Sequence, residues 1–314
     1  MAALTWSLPA TQHHTHIRHV QSSPPAISLR EASGTNPEVV ASYYDQKTAS
    51  ILKKYGPGPR VHFHLGYFEE PLDTAVEADV LRQRIRRAQE DVVERAARAW
   101  DASREFAGRL LDVGCGLGGG SIYWAQHCPT DVTAVTIARE HLPLISHFAQ
   151  QAGVGERVHP VLSDACEVQS EEPFDAVVAM ESSCYFPHER WFQHLRRLVR
   201  PGGVVCLEDT FLGLADCREP FDQYWHTRIE TVGEYVRCAR AAGFELENDV
   251  DLTEGTTDFW RQSVEWSRRT LAAGGVDAEE AERLKKSILW HGYFHEAWLR
   301  RGIEVWLLKF RRVS

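Results

Sequence analysis

Nothing in the 314-residue sequence approaches the unbroken run of about 18 apolar residues that a membrane-spanning helix needs. The N-terminus lacks the apolar stretch and small-residue cleavage site of a secretory signal, so a soluble, cytoplasmic protein is expected. The seven cysteines (Cys115, Cys128, Cys166, Cys184, Cys206, Cys217 and Cys238) include no C-x-x-C pair. That leaves neither a disulfide framework nor a zinc site signalled, and free thiols are expected. Basic residues are outnumbered, 35 Lys and Arg against 44 Asp and Glu, for a formal net charge of −9. The sequence therefore lacks the concentrated positive face that nucleic-acid phosphates demand, and a neutral or cationic partner is easier to accommodate. No internal repeat is visible. What is present, 43% hydrophobic and 10% aromatic residues, suffices for one large α/β core with a modest appendage.

Residues 1–35 are rich in His, Ser, Thr and Pro, with little hydrophobic period, and read as a disordered leader. His13, His14, His16 and His19 within it are better explained by disorder than by metal binding. A helix is expected from near Pro37, carrying Tyr43, Tyr44 and Asp45, and is broken by Tyr55-Gly-Pro-Gly-Pro-Arg-Val-His-Phe-His-Leu-Gly66. Ile85, Ala88, Val92, Ala96 and Ala99 then recur at helical spacing over about 78–100. From Arg109 onward, short apolar strands alternate with helical stretches: 110–113, 132–137, 158–162, 174–180 and 204–208. Alternation of that kind predicts parallel βαβ units in an open sheet with right-handed crossovers. Two further strands are expected near 245–250 and 304–310. The roughly 50 residues between them, rich in tryptophan, are too long for a plain connection and predict a helical cap.

The glycine run Asp112-Val-Gly-Cys-Gly-Leu-Gly-Gly-Gly120 follows a strand and opens a helix. Glycine lets the backbone approach a bulky ligand, and the following helix presents N-terminal amides to an anion. A dinucleotide-binding unit would place an acid about 20 residues on, at the end of the next strand. Thr136 occupies that place, which argues against a nicotinamide cofactor.

These residues resemble the class I S-adenosylmethionine-dependent methyltransferases. Asp112-x-Gly114-x-Gly116 is similar to their first motif, Ser163-Asp164-Ala165 to the acid that meets the adenine amino group, and Arg200-Pro-Gly-Gly203 to the turn before their fifth strand. The resemblance, covering about 40–312, implies an α/β fold: a Rossmann-like sheet of seven mostly parallel strands with a helical cap. It implies one methyltransferase domain over 36–314, with an N-terminal lid at 36–100 and cap insertions at about 211–232 and 253–300. S-adenosyl-L-methionine is the implied cofactor, in contact with Tyr44, Asp112, Gly114, Gly116, Thr136, His141, Asp164 and Ala165. Ala134-Val-Thr136-Ile-Ala-Arg-Glu-His141 is similar to the tocopherol, sterol and isoprenyl diphosphate branch, with His141 standing where that branch commonly has glutamine. Tyr43-Tyr44-Asp45 and His62-Phe-His64-Leu-Gly66 look like the branch's lid elements.

Glu181 ends the fourth expected strand, where open α/β sheets bind ligands. It is either the carboxylate that faces the acceptor, as the resemblance implies, or a cap for the next helix. Glu181 and His64 are the candidate catalytic groups, able to take a proton from the acceptor. His62, Tyr185, Asp209, Tyr224 and Trp225 are the candidate substrate-binding residues, and no metal ligands are expected. The Tyr55 to His64 run resembles gentamicin-type aminoglycoside N-methyltransferases of antibiotic biosynthesis, and the acidic charge suits a polycationic acceptor. Asp251-Leu-Thr253 followed by Phe259-Trp260 resembles isoprenyl diphosphate C-methyltransferases instead. A catalytically silent cofactor binder and a homodimer stay open.

Overall fold

The computed structural model describes residues 36–313; the expected leader, 1–35, lies outside them. Asn36 starts α1 (Pro37–Tyr55), its side chain accepting the Glu38 N–H at 2.9 Å, and Pro37 supplies a preset first turn. Leu81, Ile85, Ala88, Val92 and Ala96 form the buried stripe of α2 (Ala78–Trp100), while its arginines face outward. The short α3 (Ala102–Glu105) leads into the sheet.

Strands β1 (Gly108–Val113), β2 (Thr130–Thr136), β3 (Val158–Leu162), β4 (Phe174–Met180) and β5 (Val199–Leu212) run parallel. Antiparallel β7 (Ile303–Arg312) joins β5 to β6 (Phe244–Asp251), giving the order β3-β2-β1-β4-β5-β7-β6. Helices α4 (Gly119–His127), α5 (His141–Gln151), α6 (His188–Leu198) and α8 (Val232–Ala241) cover the sheet. The central strands are buried on both faces, the pattern of a doubly covered parallel sheet. Strand order reverses between β1 and β4, so their carboxyl ends open a crevice at the switch point. β5 extends four residues past the expected end at 208, because pairing with β7 continues to Leu212.

Beyond the sheet stand α7 (Arg218–Trp225), α9 (Thr253–Ala273) and α10 (Ala278–Leu299). Asp277 caps α10, its carboxylate accepting the Glu280 N–H at 2.8 Å. α9 and α10 pack together through Trp260, Phe294 and Trp298, whose rings lie 4.9 to 6.4 Å apart. These rings share one buried cluster with Leu110, Trp124 and Val204 of the sheet layer. The expected cap boundaries run into other elements: 211–212 belong to β5, and residue 232 begins α8, which packs beside α6. All seven cysteines are free thiols.

Candidate functional site

Two cavities meet at the carboxyl ends of β1 and β4. The smaller, about 130 Å³, is a slot floored by Asp112 to Gly120 and walled by Thr136, His141, Asp164 and Ala165, with Tyr44, His62, Phe63 and His64 above. The larger, about 1020 Å³, lies between α1, α7, α9 and α10. Tyr44, Ile51, Phe63, His64, Glu181 and Tyr185 line both.

Left-handed backbone at Gly114 (φ 74°), Gly116 (φ 55°) and Gly118 (φ 81°) turns the chain from β1 into α4. A Cβ on Gly116 would meet no atom within 4 Å, so this glycine's missing side chain is the floor of open space. A Cβ on Gly114 would instead lie 2.4 Å from that of Ser182. Asp112 is buried and accepts the Ser121 hydroxyl at 2.6 Å. Burial, opposed by that hydroxyl, pushes its carboxyl up to about 7. Asp164 Oδ1 accepts the Cys166 N–H at 2.8 Å, fixing its turn at the slot's far wall. Thr136 Oγ1 accepts the Ala138 N–H at 3.1 Å. His141 holds α1: its Nε2 is 3.1 Å from Thr48 Oγ1, and its ring meets Tyr44 edge-on. A glycine-floored slot with an acid at each end suits a nucleoside-bearing cofactor with an amino-acid tail.

At the junction, Glu181 has a positive φ of 44°, a conformation that costs a non-glycine residue about 1 to 3 kcal/mol. Its N–H donates to Glu208 O at 2.6 Å, and its Oε1 accepts the Leu65 N–H at 2.6 Å. Burial, against the pull of that N–H, raises the carboxyl to about 8. The carboxylate thus pairs with the 62–66 loop, and neither the 3-10 turn Ser183–Tyr185 that follows nor α6 has a side-chain cap, against the cap alternative for Glu181. The carbonyl of the same Leu65 lies 2.7 Å from His64 Nδ1, so Nδ1 carries the proton and Nε2 the lone pair. Burial, helped by the adjacent His62, lowers His64 to about 3 and keeps it neutral. His64 Nε2 has no hydrogen-bond partner among the described residues.

Tyr44 and Tyr185 hydroxyls are 3.0 Å apart across the junction. Tyr224 and Trp225 stand on the wall of the large cavity, their rings 4.7 Å apart. His62 faces the smaller slot rather than the large cavity, its Nε2 lying 3.2 Å from Glu90. Asp209 lines neither cavity. It is fully buried and accepts the Ser183 hydroxyl at 2.6 Å and the N–H groups of Cys184 and Thr210, so the expectation of a substrate contact fails. The alternation of β5 turns Asp209 toward the Ser183 turn and Glu208 to the opposite face.

Sequence reasoning missed the cavity's other walls: Tyr43, Tyr55, Trp260, Trp266 and Trp290, and the basic side chains Lys47 and Lys54. Lys47 and Lys54 follow Tyr43 at positions i+4 and i+11, which share one helix face, and that spacing was the available signal. Burial lowers each lysine to about 7, nearby cations adding to the effect. Among the described residues, no group of three or more His, Cys, Asp or Glu is arranged to hold a metal ion.

Residues 110–203 match a family model described as a methyltransferase domain. The 27-O-demethylrifamycin SV methyltransferase of Amycolatopsis mediterranei (strain S699) is 32% identical over 167 residues, 50% of this chain and 61% of that relative. Among solved structures, geranyl diphosphate C-methyltransferase from Streptomyces coelicolor A3(2), in complex with Mg2+, geranyl diphosphate and S-adenosyl-L-homocysteine, superposes with a TM-score of 0.69 at 17% identity, covering 90% of this chain and 100% of that one. The [4+2]-cyclase SpnF does so at 0.70 and 22%, covering 90% and 98%. The same fold therefore houses chemistry under more than one name.

Proposed function

We propose that the described residues form an S-adenosyl-L-methionine-dependent methyltransferase domain, which methylates a bulky, largely apolar small molecule held in the 1020 Å³ cavity. The observation that carries this reading is the shared wall: Tyr44, Phe63, His64, Glu181 and Tyr185 face both the glycine-floored slot and the aromatic cavity. The cofactor supplies an electrophilic methyl group on a sulfonium. Asp112 and the amides opening α4 would hold its amino-acid end, and Asp164 its adenine. Gly116 leaves the floor clear.

The chain's own work is alignment, exclusion of water and handling of one proton. The acceptor atom gains the methyl, the carbon–sulfur pair stays on sulfur, and the acceptor's proton leaves to a base. Glu181 is the base at the junction, with the lone pair of His64 Nε2 beside it. A carboxyl raised to about 8 is a strong base once ionised. His64, lowered to about 3, serves as an acceptor of a hydrogen bond that orients the acceptor's hydroxyl or amine.

An aminoglycoside amino group, with antibiotic biosynthesis as its setting, gains little support from this chemistry. Several ammonium groups would face Lys47, Lys54, Lys285 and Lys286, with Glu181 the inner carboxylate. The second reading, C-methylation of an isoprenyl diphosphate, is favoured by the aromatic wall, which suits an isoprenoid chain and a transient carbocation near Tyr224 and Trp225. Labelled S-adenosylmethionine offered with polyketide phenols, prenylated hydroquinones, isoprenyl diphosphates and aminoglycosides tests all of them. Label on one of the first three classes is expected. Exclusive labelling of aminoglycosides overturns the apolar-acceptor reading, and tight S-adenosyl-L-homocysteine binding with no labelled product from any class favours a silent cofactor binder.

A further inference from the structure

We propose that Lys47 and Lys54, with Ser263 and His291 behind them, form a binding site for an anionic oxygen group of the acceptor, a carboxylate or a phosphate ester. The inference rests on the acceptor reading of the large cavity and names what one end of that acceptor must carry.

The two lysines are seven positions apart on α1, so they share a face about 10.5 Å apart along the axis. Both line the cavity. Of the other cations there, Lys53 is matched to Glu280 at 2.6 Å, Lys285 to Glu282 at 2.6 Å and Arg283 to Glu279 at 2.9 Å, while Lys286 lies over the Tyr224 ring at 5.5 Å. Neither Lys47 nor Lys54 makes an ion pair with a carboxylate among the described residues. Lys54 donates to Ser263 Oγ at 2.6 Å, and Ser263 Oγ lies 3.0 Å from His291 Nδ1, with all three side chains more than nine-tenths buried. Lys47 donates to the Tyr43 hydroxyl and lies over the Tyr43 and Trp225 rings at 4.1 and 5.7 Å. Neutral hydroxyls and ring faces leave ammonium charge only partly compensated, and such burial is costly without an anion. The walls beside them, Trp266 at 4.6 Å from Lys54 Nζ and Tyr224, would take the apolar body to which the anion is attached. A carboxylate or phosphate between the two lysines restores charge balance and fixes which end of a long acceptor points away from Glu181.

Calorimetry on the protein saturated with S-adenosyl-L-homocysteine, using geraniol, geranic acid, geranyl diphosphate and inorganic pyrophosphate as probes, tests this. The acid or the diphosphate should bind at least about tenfold more tightly than geraniol, and Lys47→Met and Lys54→Met should each erase most of that advantage while geraniol affinity stays. Preference for geranic acid assigns a carboxylate; preference for geranyl diphosphate, with measurable pyrophosphate binding, assigns a phosphate ester. Equal affinity for geraniol and both anions, or an anion preference that survives both substitutions, overturns the anion site and leaves the apolar cavity standing. Failure of every ten-carbon probe to bind while the homocysteine product still binds overturns the acceptor cavity itself, and the anion site with it. Wild-type product affinity in each variant shows that the fold is intact.

Discussion

Glu181 combines a strained backbone, a buried carboxyl raised to about 8 and a place on the wall between the two cavities. Glu181→Gln should lower turnover by about a hundredfold, the usual scale of a lost acid–base group, with product affinity unchanged in calorimetry; the rise of rate with pH toward 8 should vanish. The same carboxyl acts on stability in the opposite sense. Its folded value lies above the unfolded 4.5, so its contribution is fully present below 4.5 and is lost as pH rises to about 8. The Gln variant should therefore gain a few degrees in Tm over the parent at pH 8.5 and less at pH 6, read by thermal melts. Gly116→Val places a β-branched residue at φ 55° and fills the slot's floor. It should weaken S-adenosyl-L-homocysteine binding by more than tenfold, about 1.4 kcal/mol, and a wild-type dissociation constant would remove Gly116 from the site. Residue identities at the strand ends were legible in the sequence where a turn demanded glycine or an acid stood alone. Asp209 was misread because strand alternation, not proximity to the strand's end, decides which neighbour faces the crevice.

At the scale of elements, β1 and β4 could be read because parallel strands buried on both sides are continuous apolar runs, and α2 because its stripe is clean. The cap could be placed but not parsed. Its tryptophans serve the core and the cavity at once: Trp260 is nearly fully buried and also lines the 1020 Å³ space, a distinction that periodicity does not encode. The contacts of the proposed lid are better defined. α1 is tied to the glycine loop's neighbourhood through Thr48 to His141 and Tyr44 to Tyr185, and residues 62–66 through Leu65 to Glu181. Few such bonds hold these segments, as a lid that opens for cofactor exchange would require. Amide hydrogen exchange should slow at 40–52 and 62–66 when S-adenosyl-L-homocysteine is added, and equal protection with and without it would show that these segments are not a lid.

For the whole molecule, the cap and the sheet are not separable bodies, since Trp260 and Trp298 belong to the same buried cluster as Leu110 and Val204. Scanning calorimetry should give one cooperative transition, and a resolved early step from the cap would contradict that continuity. The chain's formal net charge is −9 while the large cavity is edged with lysines; composition gave the first and had no means to predict the second, because net charge averages over surfaces that a ligand never meets. The shared wall has a consequence in time. Tyr44, Phe63 and Tyr185 bound both spaces, so on the proposed function an acceptor seated against them would close the slot on its large-cavity side and hold α1 and residues 62–66 in place over it. Turnover is then expected to have a compulsory order, with methyl donor first on and spent donor last off. Spent donor should compete with fresh donor but not with acceptor, however much acceptor is supplied.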